Sequence, residues 1–202
     1  TIRRPEIYYG EKPTSYIFVG TTVKEFDYPM GESNARTTYE GKGGVPMGSL
    51  FRRILYAIKF ADFKILFSDV FTENSRVKYH RNIRERLSRV APFLFFDHDP
   101  YMVVFDGRLV WMQDAYTAAD GYPYSQPVSL GRGQTINYIR NSVKATVDAY
   151  DGTMRFYIAD PDDPVLKAWS GVFPGLFRPL SDMPAGLKGH LRYPQDLFNI
   201  LS

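Results

Sequence analysis

Residues 137–163 read NYIRNSVKATVDAYDGTMRFYIADPDD, and the fold turns on them. Val143, Ala145, Val147 and Ala149 alternate with Lys144, Thr146 and Asp148, the period-2 pattern of a half-buried strand. Met154, Phe156 and Ile158 alternate with Arg155 and Tyr157 in the same way. Asp151-Gly152 lies between the two runs, and Asp-Gly favours a two-residue type I′ turn in which both residues take positive φ. A hairpin closed there sets Ala149 opposite Met154, Val147 opposite Phe156 and Ala145 opposite Ile158 on one buried face. Asp148 then falls opposite Arg155 on the exposed face, at ion-pair distance. A slip of one residue would send every apolar side chain to the wrong side, so the pattern fixes the faces.

Working outward, a second Asp-Gly pair, Asp106-Gly107, divides Tyr101–Met112 into another hairpin. Both of its faces are apolar: Met102, Val104, Leu109 and Trp111 on one, Tyr101, Val103, Val110 and Met112 on the other. It is predicted to be central and covered on both sides, with the 143–158 hairpin covered on one. Upstream, Tyr16–Val23 and Val23–Tyr28 read as strands ended by Pro29, and 30–48 reads as a long Gly-, Asn- and Thr-rich loop. Ser49 is a good N-cap for a helix over 49–66, with Leu50, Ile54, Ile58, Ala61 and Ile65 on one side. A second helix is predicted over 77–90, with Tyr79, Ile83, Leu87 and Val90 as its stripe, stopped by Pro92. Phe93–Phe96 reads as a short strand and 115–134 as a connection. Asp163-Pro164 opens a short helix, and further short helices fit 184–191 and 194–201. The fold class expected is α+β: a largely antiparallel sheet with two Asp-Gly hairpins and the helices at 49–66 and 77–90 packed on one face.

A chain of 202 residues suits one domain or subdomain, 1–202, with a sizeable core. Twenty-five basic against 22 acidic residues give a net charge of +3, too weakly basic to indicate nucleic acid. Without Cys there are no disulfides, no thiol catalysis and no thiolate metal site. No apolar run approaches the ~18 residues that span a bilayer. The chain starts at Thr1 without Met or a signal-peptide pattern, so the expectation is a soluble, monomeric segment excised from something longer.

Candidate chemistry is sparse. Arg76, Lys78, Arg81, Arg84, Arg86 and Arg89, countered by Glu85, form the richest charged stretch. It suits lipid headgroups or another polyanion, since guanidinium forks fit phosphate, but the favoured reading is a solvated helix face paired to acidic neighbours. Gly41-Lys42-Gly43-Gly44 ahead of Ser49 could offer N–H groups to an anion, yet matches neither the Walker nor the dinucleotide spacing. Gly31-Glu32-Ser33-Asn34-Ala35 echoes a nucleophile elbow with its last glycine replaced and no partner histidine indicated. Asp97 and Asp99, with His98 between, and Asp160 and Asp162 make two carboxylate-rich corners. Such corners hold hard cations, serve as acid–base pairs, or simply cap turns. His80, His98 and His190 show no metal-ligand spacing, so neither a bound metal nor an organic cofactor is expected.

PEIYYGE (5–11), EFDYP (25–29), YEGKGGV (39–45), SRVKYHRNIRERL (75–87), APFL (91–94), DPYMVVFDGRLVW (99–111), DAYTAADGYPYS (114–125), NYIRNSVKATVDAYDG (137–152) and LRYPQDLF (191–198) occur in order along nearly the whole chain. Together they resemble uncharacterised protein family 0182, large bacterial multi-pass membrane proteins of unknown function. The resemblance implies transmembrane helices outside these residues and an extracytoplasmic region at the cell membrane that contains them. It brings no activity, cofactor or catalytic residue. The function expected is a non-catalytic extracytoplasmic module, binding an anionic lipid, an envelope ligand or the membrane-embedded remainder of its own chain. The alternative is an extracytoplasmic hydrolase using the carboxylates near Asp97 and Asp99.

Overall fold

The computed structural model describes residues 2–12, 15–30, 33–131 and 134–201. In chain order the elements are β1 (Ile17–Val19), β2 (Glu25–Met30), β3 (Ser33–Thr37), β4 (Val45–Pro46), α1 (Leu50–Phe60), α2 (Lys64–Phe67), β5 (Arg76–Lys78), α3 (Ile83–Val90), β6 (Phe95–Phe96) and β7 (Tyr101–Phe105). They continue with β8 (Arg108–Ala119), β9 (Val128–Gly131), β10 (Gln134–Ile136), β11 (Tyr138–Asp148), β12 (Met154–Ile158), α4 (Pro164–Val172), β13 (Phe177–Pro179), a 3-10 turn (Leu180–Asp182), α5 (Ala185–Lys188) and α6 (Gln195–Leu201). The class is α+β, with most strand pairs antiparallel.

The main sheet runs β13-β12-β11-β8-β6, and β7 also pairs with β8. Its two longest strands, β8 and β11, lie side by side, with Val147 opposite Trp111 and Ala145 opposite Gln113. One face buries Leu109, Trp111, Ala115, Val143, Ala145, Val147 and Phe156 under Ile83 and Leu87 of α3 and Leu166 of α4. Asp163 caps α4 by accepting from the Val165 N–H, ahead of Pro164 in the first turn. The other face buries Val103, Val110, Met112 and Tyr157 under Met183 and Leu187.

Several expectations need correction. Strand β11 is central, so Lys144 and Thr146, expected in solvent, are buried beneath the second face. Val147 pairs with Met154 and Ala145 with Phe156, two residues away from the predicted register. Asp148 therefore does not meet Arg155, which pairs with Thr146. The cause is the turn. The Asp148 carboxylate accepts from the N–H groups of Tyr150 and Asp151 at 3.0 and 2.7 Å, and the Asp148 carbonyl accepts from Gly152 N–H at 2.8 Å. That holds open a five-residue connection, 149–153, instead of a two-residue one. The faces survive because a shift of two preserves side-chain alternation.

The helix expected over 77–90 starts at Ile83. Residues 76–78 form β5, which pairs with β1 and β4 in a small separate sheet. His80 takes a left-handed φ of 50°, and Asn82 caps α3 by accepting from Glu85 N–H. The helix expected over 49–66 divides into α1 and α2, and it packs on this small sheet instead of the large one. Ala57, Ile65, Met47 and Val77 form their own core. The loop expected over 30–48 contains β3, paired with β2, and β4. Gly31 and Glu32 lie outside the described residues. Ser33 opens β3 and no helix follows it, as an elbow would require. Among the described residues no helix is long and apolar enough to cross a membrane.

Candidate functional site: a caged lysine behind a basic-rimmed cleft

The N-terminal segment straps the two domain parts together. Tyr8 and Tyr9 both donate their N–H groups to the Ala149 carbonyl at 2.9 Å, and Gly10 exchanges backbone bonds with Arg81 and Ile83. Arg81 Nε donates to the Tyr8 carbonyl at 2.7 Å, and Trp111 Nε1 to the Tyr9 carbonyl at 2.9 Å. This strap brings two tyrosine rings against β5.

There they meet Lys78, which is completely buried. Its ammonium donates to the Tyr150 carbonyl at 2.7 Å. Nζ also lies 3.4 Å from the ring centre of Tyr39, 3.8 Å from that of Tyr8, 5.3 Å from Tyr9 and 5.4 Å from Tyr150. Four tyrosines thus surround one cation with their negative ring faces. Burial pushes the Lys78 ammonium down to about 7, against the pull of Asp151. Tyr39 Oη donates to Asp151 Oδ1 at 2.6 Å, and Arg108 donates to Asp148 and Asp151 at 2.9 and 2.8 Å. Burial pushes Asp151 up, but Tyr39 and Arg108 outweigh it and hold the carboxyl below its usual range. Burial and the bond to Asp151 drive the Tyr39 phenol well above its ordinary value.

The Gly41–Gly44 loop, a candidate anion cradle, instead latches this cage. Gly43 N–H donates to Tyr39 Oη at 2.7 Å, and Arg76 donates to the Lys42 and Gly44 carbonyls. A Cβ at Gly43 would fall 2.1 Å from the Asp151 carbonyl oxygen, which explains the glycine there.

Tyr9 is a shared wall. On its outer side lies a cleft of about 320 Å³. Val45, Val77, Tyr79, Val90 and Met154 give it an apolar lining, and His80, Arg86 and Arg89 give it a basic rim. Arg86 lies 4.6 Å from the Tyr9 ring centre and donates to the Gly152 carbonyl at 3.0 Å. Glu85 bridges His80 and Arg89 at 2.8 and 2.9 Å; the bond to Arg89 is the main cause of its lowered carboxyl pKa. An incoming anion would compete with Glu85 for Arg89 and for the His80 ring.

The six basic residues named from sequence therefore do not form one face. Arg76, Lys78 and Arg81 hold the fold together, Arg86 and Arg89 reach the cleft, and Arg84 stands exposed on α3. Nor are the four carboxylates gathered. Asp160 pairs with Arg140 and Asp162 with Lys167 at the start of α4. Asp97 is buried, accepting from Tyr116 Oη and from the N–H groups of Asp99 and Asp196. Among the described residues the one set that could offer three ligand atoms to a metal is Asp97, His98 and Asp196, each already bonded within the set or to backbone. Asp99, Asp160 and Asp162 are not in it.

Sequence reasoning missed the cage because its tyrosines come from positions 8, 9, 39 and 150, related by no period. One usable signal was present. Asn82-Ile83-Arg84-Glu85 is a cap followed by Glu at the third helical position, which marks the helix start and leaves Lys78 outside it.

The model for Uncharacterised protein family (UPF0182) matches residues 1–202. Among curated relatives, a UPF0182 protein of Desulforamulus reducens is 52% identical over 202 residues, covering 100% of this chain and 21% of its own length. One from Sulfurovum sp. is 51% identical over 203 residues, covering 98% and 22%. Another, from Pelobacter propionicus, is 54% identical over 200 residues, covering 98% and 22%. The chain thus spans about a fifth of the length of the relatives it matches. No solved structure matches.

Proposed function

From the premise that this chain belongs to the uncharacterised UPF0182 family, we propose that it is a non-catalytic, extracytoplasmic module of a multi-pass membrane protein. Its task is to bind an anionic amphiphile in the cleft between β5 and α3. The single observation that carries this is the pairing of an apolar lining, Val45, Val77, Tyr79, Val90 and Met154, with the guanidinium groups of Arg86 and Arg89 and the His80 ring at its rim. A chain-like apolar group fits the lining and a phosphate or carboxylate fits the guanidinium rim. Asp97 is buried, and both of its carboxylate oxygens already accept from Tyr116, Asp99 and Asp196, which favours binding over hydrolysis.

The test is titration of the 202-residue chain with a soluble short-chain phosphatidic acid, followed by tyrosine fluorescence. Arg89→Gln, at an exposed position, is expected to weaken binding, and Glu85→Gln to strengthen it by releasing Arg89 and His80. Each change should be several-fold, the scale of one partly exposed charged contact. Identical affinities for the three proteins would reject the cleft as the site.

A further inference from the structure

The structure turns the apolar stripe of α1 outward. Leu50, Phe51, Leu55 and Ile58 are 65%, 68%, 50% and 65% exposed, and Phe63 and Phe67, flanking and ending α2, are 64% and 83% exposed. The sequence predicts Leu50, Ile54 and Ile58 as core-facing, yet the core is reached from the opposite side of the helix, by Ala57 with Tyr56 and Phe60. Tyr56 and Phe60 stack there, and Phe60 stacks on Tyr16 at 3.9 Å. The inner side is therefore already complete, and the outer stripe is a second apolar face with no partner among the described residues.

Positions 50, 51, 54, 55 and 58 cover an arc of roughly 140° at ~100° per residue, too broad for a narrow helix–helix seam. Exposed Arg52, which also donates to the Pro46 carbonyl at 3.4 Å, and exposed Lys59, whose ammonium lies 4.0 Å from the Tyr79 ring centre, line one margin, and exposed Lys64 follows in α2. Across 50–67 the sole acidic residue is Asp62, which is half-buried and accepts from Tyr16 Oη at 2.8 Å. A broad Leu/Phe/Ile face edged by Arg and Lys, with no exposed acid between residues 50 and 67, is complementary in shape and charge to a negatively charged lipid surface. Long basic side chains at the margin can reach headgroups while the apolar side chains enter the layer beneath.

We propose that α1 and α2 form a peripheral docking face for an anionic lipid bilayer. The proposal does not depend on the cleft, since Arg86 and Arg89 are on α3 and none of the exposed α1 side chains lines it.

The experiment is co-sedimentation of the 202-residue chain with vesicles of phosphatidylglycerol in phosphatidylcholine, and with vesicles of phosphatidylcholine alone. The wild-type chain should partition onto the anionic vesicles and much less onto the neutral ones, and lose binding at high salt. Phe51→Ser, Leu55→Ser and Ile58→Ser combined should reduce partitioning at least about tenfold, as three apolar side chains are withheld from the interface. Because all three are exposed, the variant should melt like the wild type by circular dichroism. Arg52→Gln, Lys59→Gln and Lys64→Gln combined should remove the preference for anionic over neutral vesicles. Absence of wild-type binding to anionic vesicles, or equal binding by the serine variant, overturns the proposal. So does a wild-type oligomer in light scattering that the serine variant dissolves without any vesicle binding, which would assign the face to protein. The two sites are told apart by crossed variants. Arg89→Gln should leave vesicle binding intact, and the serine variant should leave short-chain phosphatidic acid binding intact.

Discussion

Two hairpins in this molecule turn on the same dipeptide and do different things with it. Asp106-Gly107 makes the tight turn that Asp-Gly favours: Phe105 pairs directly with Arg108, and the two turn residues have φ of 49° and 72°. Asp151-Gly152 does not. Gly152 keeps a positive φ of 71°, but Asp151 is recruited by Tyr39 and Arg108, and Asp148 ties down the preceding N–H groups. In the first turn the Asp106 side chain is exposed, and the strap touches only the Gly107 carbonyl, through the N–H groups of Arg3 and Arg4; the second turn is part of the tyrosine cage. A dipeptide specifies a turn only where nothing distant competes for its side chain.

The largest expected effect sharpens that contrast. A Cβ on Gly152 would lie 2.5 Å from the Tyr9 ring, whereas at Gly107 it would meet only the flexible Arg3 side chain. Gly152→Ala should therefore destabilise by about 3–5 kcal/mol, left-handed strain plus overpacking, and Gly107→Ala by little more than the strain of ~1 kcal/mol. Equal losses in urea melts would mean that the cage does not constrain the second turn.

The next effect is a pH dependence. Lys78 titrates at about 7 in the folded chain and near 10.4 when unfolded. Between those values the unfolded chain binds more protons, so stability should rise with pH across that window, the burden of the buried ammonium being complete below it. A gain of roughly 2–3 kcal/mol from pH 7 to 9.5 is expected, less than the full shift because that interval covers only part of the window. Tyr39, held well above its ordinary value, acts oppositely above ~10, where the unfolded phenol ionises and the folded one does not. Lys78→Met should flatten the profile below that limit. A flat wild-type profile would show that the tyrosines keep the lysine charged.

Smallest is the pair of aspartates. Asp148→Ala removes the acceptor of two N–H groups and an Arg108 partner, for about 1.5–2.5 kcal/mol. Asp106→Asn, exposed and already left-handed, should stay within ~0.5 kcal/mol. Similar losses from the two would make the second turn as local as the first.

Much of the main sheet was legible because its strands carry their own alternation: the buried set Val143, Ala145 and Val147 follows from period alone, and Asp163-Pro164 marks α4 by local capping chemistry. The register of β11 against β12 was not legible, because Asp148 answers to Arg108 and to the turn as well as to its own strand. The 77–90 stretch failed similarly: Tyr79, Ile83, Leu87 and Val90 fit a helical stripe, but pairing with β1 holds residues 76–78 extended. Of the candidate site, Arg86 and Arg89 were legible as basic. Their cleft was not, since Val45, Val77 and Met154 come from three strands far apart in sequence. Nor does hydropathy periodicity say which way a stripe faces, as α1 demonstrates.

The strap of residues 3–10 carries a kinetic consequence. Its bonds close loops of up to and beyond a hundred residues, from Tyr9 to Trp111 and from Tyr8 to Arg81. Contacts of such sequence separation lose the most chain entropy on forming and return it on opening. Lifting the strap would remove two of the four rings around Lys78 and admit water to its amine. The rate at which an amine-selective reagent acylates Lys78 would then measure how often the domain unbuttons itself there, with the rest of the sheet still closed.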